Sequence, residues 1–173
     1  MDSNKTEEMF KLGQAVFLEG IQKLKECKQQ NANFIHNRSR LIIKKRLAVV
    51  EFTHGLELIL KAVLVRRGYS INRFKNGIFR EEQRVKDIVN PERTIDLEDV
   101  TRFFSREFSN CPFRAVDKLR ELRNQIIHRG TQIDEKKREY FIGAIDCLVA
   151  VYGKEAINHR TFLREIEQSK NEI

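Results

Sequence analysis

Between Phe52 and Leu64 the apolar residues Phe52, Leu56, Ile59, Leu60, Val63 and Leu64 recur at three- and four-residue spacing, the pattern of a buried helix face. A stripe this regular needs other apolar faces to cover it, and the rest of the chain supplies them at the same period. Met9, Leu12, Gly13, Val16, Phe17, Gly20, Ile21 and Leu24 mark a first amphipathic helix over about residues 6–30. Its two glycines lie on the stripe, which implies close packing against a neighbour. The helical region containing Phe52 to Leu64 runs over about residues 34–67 and ends at Gly68, after the cationic pair Arg66 and Arg67. Asp96 is a credible N-cap for a helix carrying Leu97, Val100, Phe104 and Phe108. Pro112 opens another, with Ala115, Val116, Leu119, Leu122 and Ile126 on one face, and Gly130 stops it. Phe141, Ala144, Ile145, Leu148, Val149 and Tyr152 build a further helix, and a polar one beyond Gly153 is anchored by Phe162 and Ile166. With two prolines and eight glycines the chain has little turn material for an all-β fold. The expected fold class is all-α: a single domain over residues 1–173, a bundle of five to six helices, several antiparallel because their connections are short.

The pattern dissolves over residues 69–94, where Asn72, Asn76, Gly77 and Asn90-Pro91 punctuate a charged stretch. We read an exposed connector there, with at most one short helix. A connector of that length inside one domain is unusual, and it is either functional or a spacer.

The formal charge of +8 and pI near 9.5 favour polyanionic partners such as RNA, although solvated lysines explain the same numbers equally well. Cys27, Cys111 and Cys147 are scattered without a paired motif, which argues against a disulfide framework and against a cysteine zinc site, and leaves small buried hydrophobes. The first residues lack the run of a signal peptide, and no stretch approaches the roughly eighteen apolar residues of a membrane span. The expected compartment is the cytoplasm, with no membrane partner. Phosphate-loop, dinucleotide-turn, zinc-protease and nucleophile-elbow motifs are all missing, so no cofactor and no metal ligand set is expected. Glu81-Glu82 and Glu98-Asp99 read as solvated faces. His36, His54 and His159 are dispersed and read as structural, His54 as a satisfied interior histidine ahead of the Leu56–Leu64 stripe.

One histidine keeps chemically useful company. Arg123-Asn124-x-x-x-His128 lies on the last turns of the helix that Gly130 stops. Asn124 and His128 are four apart and share a face, whereas Arg123 and His128 are separated by about 140° around the axis. Arginine and histidine at a helix C-terminus also complement its dipole and cap free carbonyls, so the cluster has a purely structural reading too.

Two segments together resemble the HEPN family, the higher-eukaryote and prokaryote nucleotide-binding domain. They are residues 51–68, with Glu57 and Lys61 ahead of Gly68, and residues 119–130, whose Arg123-Asn124-x-x-x-His128 matches that family's Arg-x4–6-His signature. The likeness is strongest over residues 50–152. It implies a helical bundle that dimerises so that two motifs share one cleft. It further implies metal-independent cleavage of RNA through the 2′-hydroxyl, in the manner of toxin and phage-defence endoribonucleases, leaving 2′,3′-cyclic phosphate ends. On that reading Arg123, Asn124 and His128 are catalytic, Arg120 and Arg129 contact RNA, and an antitoxin or other regulatory partner is expected. The alternative on the same fold is a non-catalytic RNA- or nucleotide-binding or assembly module. Family toxins silenced by a nucleotidyltransferase carry a tyrosine two residues past the histidine; Gly130 stands there, so adenylylation at that position is not expected. The cationic run Arg38, Arg40, Lys44, Lys45 and Arg46 reads as a solvated helix face first and an RNA track second.

Overall fold

The computed structural model describes residues 3–30, 38–74, 88–130, 137–153 and 159–173. Among these residues there are six helices: α1 (Ser3–Gln30), α2 (Arg38–Arg66), α3 (Leu97–Glu107), α4 (Phe113–Arg129), α5 (Arg138–Gly153) and α6 (Arg160–Ser169). A small antiparallel hairpin, β1 (Asn72–Phe74) with β2 (Ile88–Thr94), stands between α2 and α3. The fold is an all-α bundle, as the periodicity implied, with the hairpin as its one departure among the described residues.

The bundle is organised on α1 and α2, because three glycines let their backbones touch. A Cβ on Gly20 would lie 2.5 Å from the Phe52 nitrogen, one on Gly13 would lie 2.8 Å from Ile59 Cγ1, and one on Gly55 would collide with the Phe17 backbone. No side chain larger than hydrogen fits at Gly20 or Gly55, where backbone faces backbone. The expected close approach of the first helix is therefore real. Phe10, Phe17 and Ile21 bury on one side of that seam and Val49, Phe52, Leu56, Ile59 and Leu60 on the other. Phe17 stacks on Phe52 at 4.3 Å between ring centroids, and Phe141 of α5 meets the far edge of Phe52 at 5.1 Å.

One stripe position was misread: Leu12 is 56% exposed, while Phe10 is completely buried. The observed seam runs Phe10, Gly13, Phe17, Gly20, close to a repeat of seven, and leaves Leu12 on its outer flank. His54 is another correction, exposed on the side of α2 facing away from the seam instead of buried. Over residues 69–94 the described part holds strands where a short helix at most was expected, and residues 75–87, with Asn76, Gly77, Glu81 and Glu82, lie outside the described residues, as does His36. Local sequence explains the strands poorly; they are held by tertiary bonds such as Ile95 N donating to Ile71 O at 2.8 Å.

The remaining helices close the core as expected. Asp96 caps α3 by accepting from the Asp99 amide at 3.1 Å. Val116, Leu119, Leu122 and Ile126 of α4 pack inward, and Ala115 of that helix meets Gly143 of α5. Cys27 and Cys147 are buried and Cys111 is half-buried, and none of the three is in a disulfide. Burial pushes the Cys147 thiol well above the ordinary cysteine range, so it remains an inert hydrophobe. No described helix is long and apolar enough to cross a membrane.

Candidate functional site

The C-terminal half of α4 carries every site residue that the motif nominated. Its inner face is fixed by Leu119, Leu122 and Ile126, and its end is fixed by Gly130, whose φ of 61° places it in the left-handed region and whose amide donates to Ile126 O at 3.1 Å. The position two past His128 is thus a helix stop that favours glycine, a structural use unrelated to modification. Arg46 of α2 donates to the Gly130 carbonyl and so ties this helix end to the cationic start of α2.

From that frame the side chains diverge. His128 and Arg129 are exposed on the last turn, and Asn124 is half-buried one turn before His128. Among the described residues none of these three side chains has a hydrogen-bond or ionic partner. Arg123 turns the other way, toward α2, where its Nη1 donates to Glu57 Oε2 at 3.1 Å. The other oxygen of Glu57 accepts from Lys61 Nζ at 2.7 Å, and Lys61 also reaches Thr94 Oγ1 at the foot of β2, at 3.1 Å. Arg123 and His128 are therefore not brought together within one chain, as the offset around the helix requires. Arg120 points to α3, pairing with Glu98 at 3.0 Å, so a role in phosphate contact would need it to exchange that partner.

The Glu57 cluster is electrostatically unbalanced. Two cations share one carboxylate, and both side chains of the lysine pair are largely dehydrated, Lys61 at 9% and Glu57 at 14% exposure. Arg123 keeps 21% of its side chain in solvent, while its buried Nε has no hydrogen-bond partner among the described residues. The surplus charge thus sits on a planar guanidinium that is bonded through Nη1 and keeps part of its side chain in solvent, a group suited to an oxyanion such as phosphate. Glu57 and Lys61 lay inside the sequence segment that resembled HEPN but were given no role there. Their four-residue spacing on a helix, with acid before base, was the available signal.

Three apolar side chains flank the same end. Ile43 and Leu47, one turn apart on α2 and bracketing Arg46, are 55% and 47% exposed, and Ile127, immediately before His128, is 57% exposed. Of the cationic run, Arg38 and Arg40 are exposed, whereas Lys44 is paired with Glu26 and Arg46 is engaged by Gly130. Among the described residues no three histidine, cysteine or acidic side chains come together as a metal site would need.

Residues 31–161 match the family described as Domain of unknown function (DUF3644), and the chain belongs to that family. No curated protein and no solved structure matches it.

Proposed function

We propose that this chain is a metal-independent endoribonuclease of the HEPN kind, of toxin or phage-defence type, acting as a homodimer. The observation that carries the reading is the surplus positive charge on the partly exposed Arg123, on the same helix end as an exposed and unengaged His128. In the reaction the 2′-oxygen of RNA bonds to phosphorus as the bond to the 5′-oxygen breaks. A base takes the 2′ proton and an acid returns one to the leaving oxygen, so atoms balance without a co-reactant. Imidazole can take a proton or give one and so suits either task, which falls to His128. Arg123 holds the scissile phosphate and stabilises the charge of the five-coordinate state, and Asn124 orients the imidazole or a phosphate oxygen. Arg129 and, once released from Glu98, Arg120 follow the RNA backbone.

Because Arg123 and His128 face apart, a working centre needs the motifs of two copies. The exposed Ile127, Ile43 and Leu47 around the motif supply apolar surface of the kind that self-association covers. The alternative is a non-catalytic RNA- or nucleotide-binding module, favoured by one observation: Arg123 and Arg120 both already have carboxylate partners. Cleavage of mixed cellular RNA in EDTA by the wild type and His128→Ala, with end-group analysis, separates the two. New 2′,3′-cyclic phosphate ends that vanish in the variant support the nuclease. RNA bound intact by both at high protein concentration supports the binding module.

A further inference from the structure

Two glutamates on α2 meet lysines in different ways. Lys23 of α1 reaches both oxygens of Glu51, at 2.9 and 2.7 Å. Lys61 takes a single oxygen of Glu57, Oε1, and leaves Oε2 to Arg123. An ammonium four residues along the same helix from a carboxylate is free to slide across both oxygens unless something else holds it. The structure supplies that restraint. Lys61 Nζ also donates to Thr94 Oγ1 at 3.1 Å, and Thr94 is itself fixed: it pairs with Asn72 across the hairpin, and the next residue, Ile95, is buried with its amide bonded to Ile71 O at 2.8 Å.

We infer that Thr94 is a positioning residue for the proposed nuclease, its hydroxyl drawing Lys61 off Glu57 Oε2 so that this oxygen stays available to orient Arg123. The inference rests on the reading of Arg123 as the phosphate-holding group, but the placement of its guanidinium is measurable without any activity. Thr94 touches neither substrate nor the reacting atoms on this account and acts only through Lys61 and Glu57. It also gives the β1–β2 hairpin a physical line to the site. Anything that displaces the foot of β2 shifts Lys61 and then the carboxylate that Arg123 leans on.

The test compares Thr94→Val, which keeps the shape and removes the hydroxyl, with Thr94→Ser, which keeps the hydroxyl. Thr94 is exposed, so neither change disturbs the core. In the full-length protein the Arg123 Nε–H resonance, assigned by its loss in Arg123→Lys, reports how firmly the guanidinium is held. In Thr94→Val that proton is expected to shift and to exchange with solvent about three- to tenfold faster, the equivalent of one net hydrogen bond, and in Thr94→Ser to match the wild type. On RNA, kcat of Thr94→Val falls by a similar factor with KM unchanged, and serine restores it. An Arg123 signal indifferent to valine, or disturbed equally by valine and serine, overturns the inference. A signal that responds as expected in a protein that cuts no RNA keeps Thr94's role and removes the nuclease reading alone.

Discussion

The seam between α1 and α2 and the C-terminal end of α4 are opposite kinds of surface. In the seam, glycine meets backbone among mostly buried apolar side chains; at the end of α4, an imidazole, a guanidinium and an isoleucine stand exposed around one left-handed glycine. Packing explains the first region entirely. It explains nothing about the second, whose exposed side chains contribute little to stability and whose tie from Arg123 to Glu57 leaves charge unbalanced. An exposed residue that costs the fold little and stands on the same helix end as a surplus charge is where function is to be sought.

The sharpest break between the regions should come from His128→Ala. Loss of a proton-transfer group is expected to lower RNA cleavage about a thousandfold, while thermal melting stays within the small shifts usual for an exposed residue. A matching fall in melting temperature would move His128 into the structural class. The converse change is Gly55→Ala, where the new methyl meets the Phe17 backbone. It is expected to cost about 3 kcal/mol, read as a lower urea midpoint, with any surviving folded protein retaining RNA binding. Next in size is Ile127→Asp, which places a charge in the surface proposed to cover a second copy. Sedimentation should show the dimer dissociating about tenfold more readily, with cleavage falling in step and monomer stability unchanged. If that variant stays fully active as a monomer, the composite site is wrong.

The smallest effects concern pH, and here a glutamate beside the seam and an aspartate near the start of α4 differ in sign. Glu26, beside the seam, is held below the usual carboxylate range by hydrogen bonds from Lys44 and Gln22, so its contribution is present at neutral pH and lost as pH falls through its lowered pKa. Asp117, on α4, is raised by burial, an effect that Arg120 partly offsets. Its folded form favours the protonated acid, so its contribution is present in acid and lost as pH rises through the aspartate range toward the raised value. Asp117→Asn should therefore raise the urea midpoint at neutral pH and leave it unchanged in acid. A gain of equal size at both would mean that the amide adds a contact instead of relieving a charge.

Helix existence and most of the core were legible because three-four periodicity is a local signal, and α2 from Phe52 to Leu64 carries it without interruption. Leu12 and His54 were misplaced for one reason. A helix in contact on a narrow seam buries fewer positions than its apolar residues suggest, and the seam's exact line depends on where Gly20 and Gly55 find their partners. The hairpin was not legible at all, since β1 and β2 pair across a distant stretch of chain and are tied down by Ile71 and Ile95. At the candidate site the sequence placed Arg123, Asn124 and His128 on one helix end and warned that arginine and histidine face apart. It could not say that Arg123 would find Glu57, because a pairing between helices leaves no spacing to read.

That pairing also has a kinetic meaning. Lys23 and Glu51, across the α1–α2 seam, are 28 residues apart in the chain, Lys61 and Thr94 are 33 apart, and Glu57 and Arg123 are 66 apart. Closing a longer loop costs more chain entropy before any contact rewards it. The α1–α2 hairpin is accordingly the natural nucleus, and the guanidinium reaches its carboxylate only when α4 docks at the end. During synthesis a newly made chain would thus hold a formed scaffold before it holds a formed site. In mild denaturant the order reverses, and hydrogen exchange should find the end of α4 opening while the glycine seam stays shut.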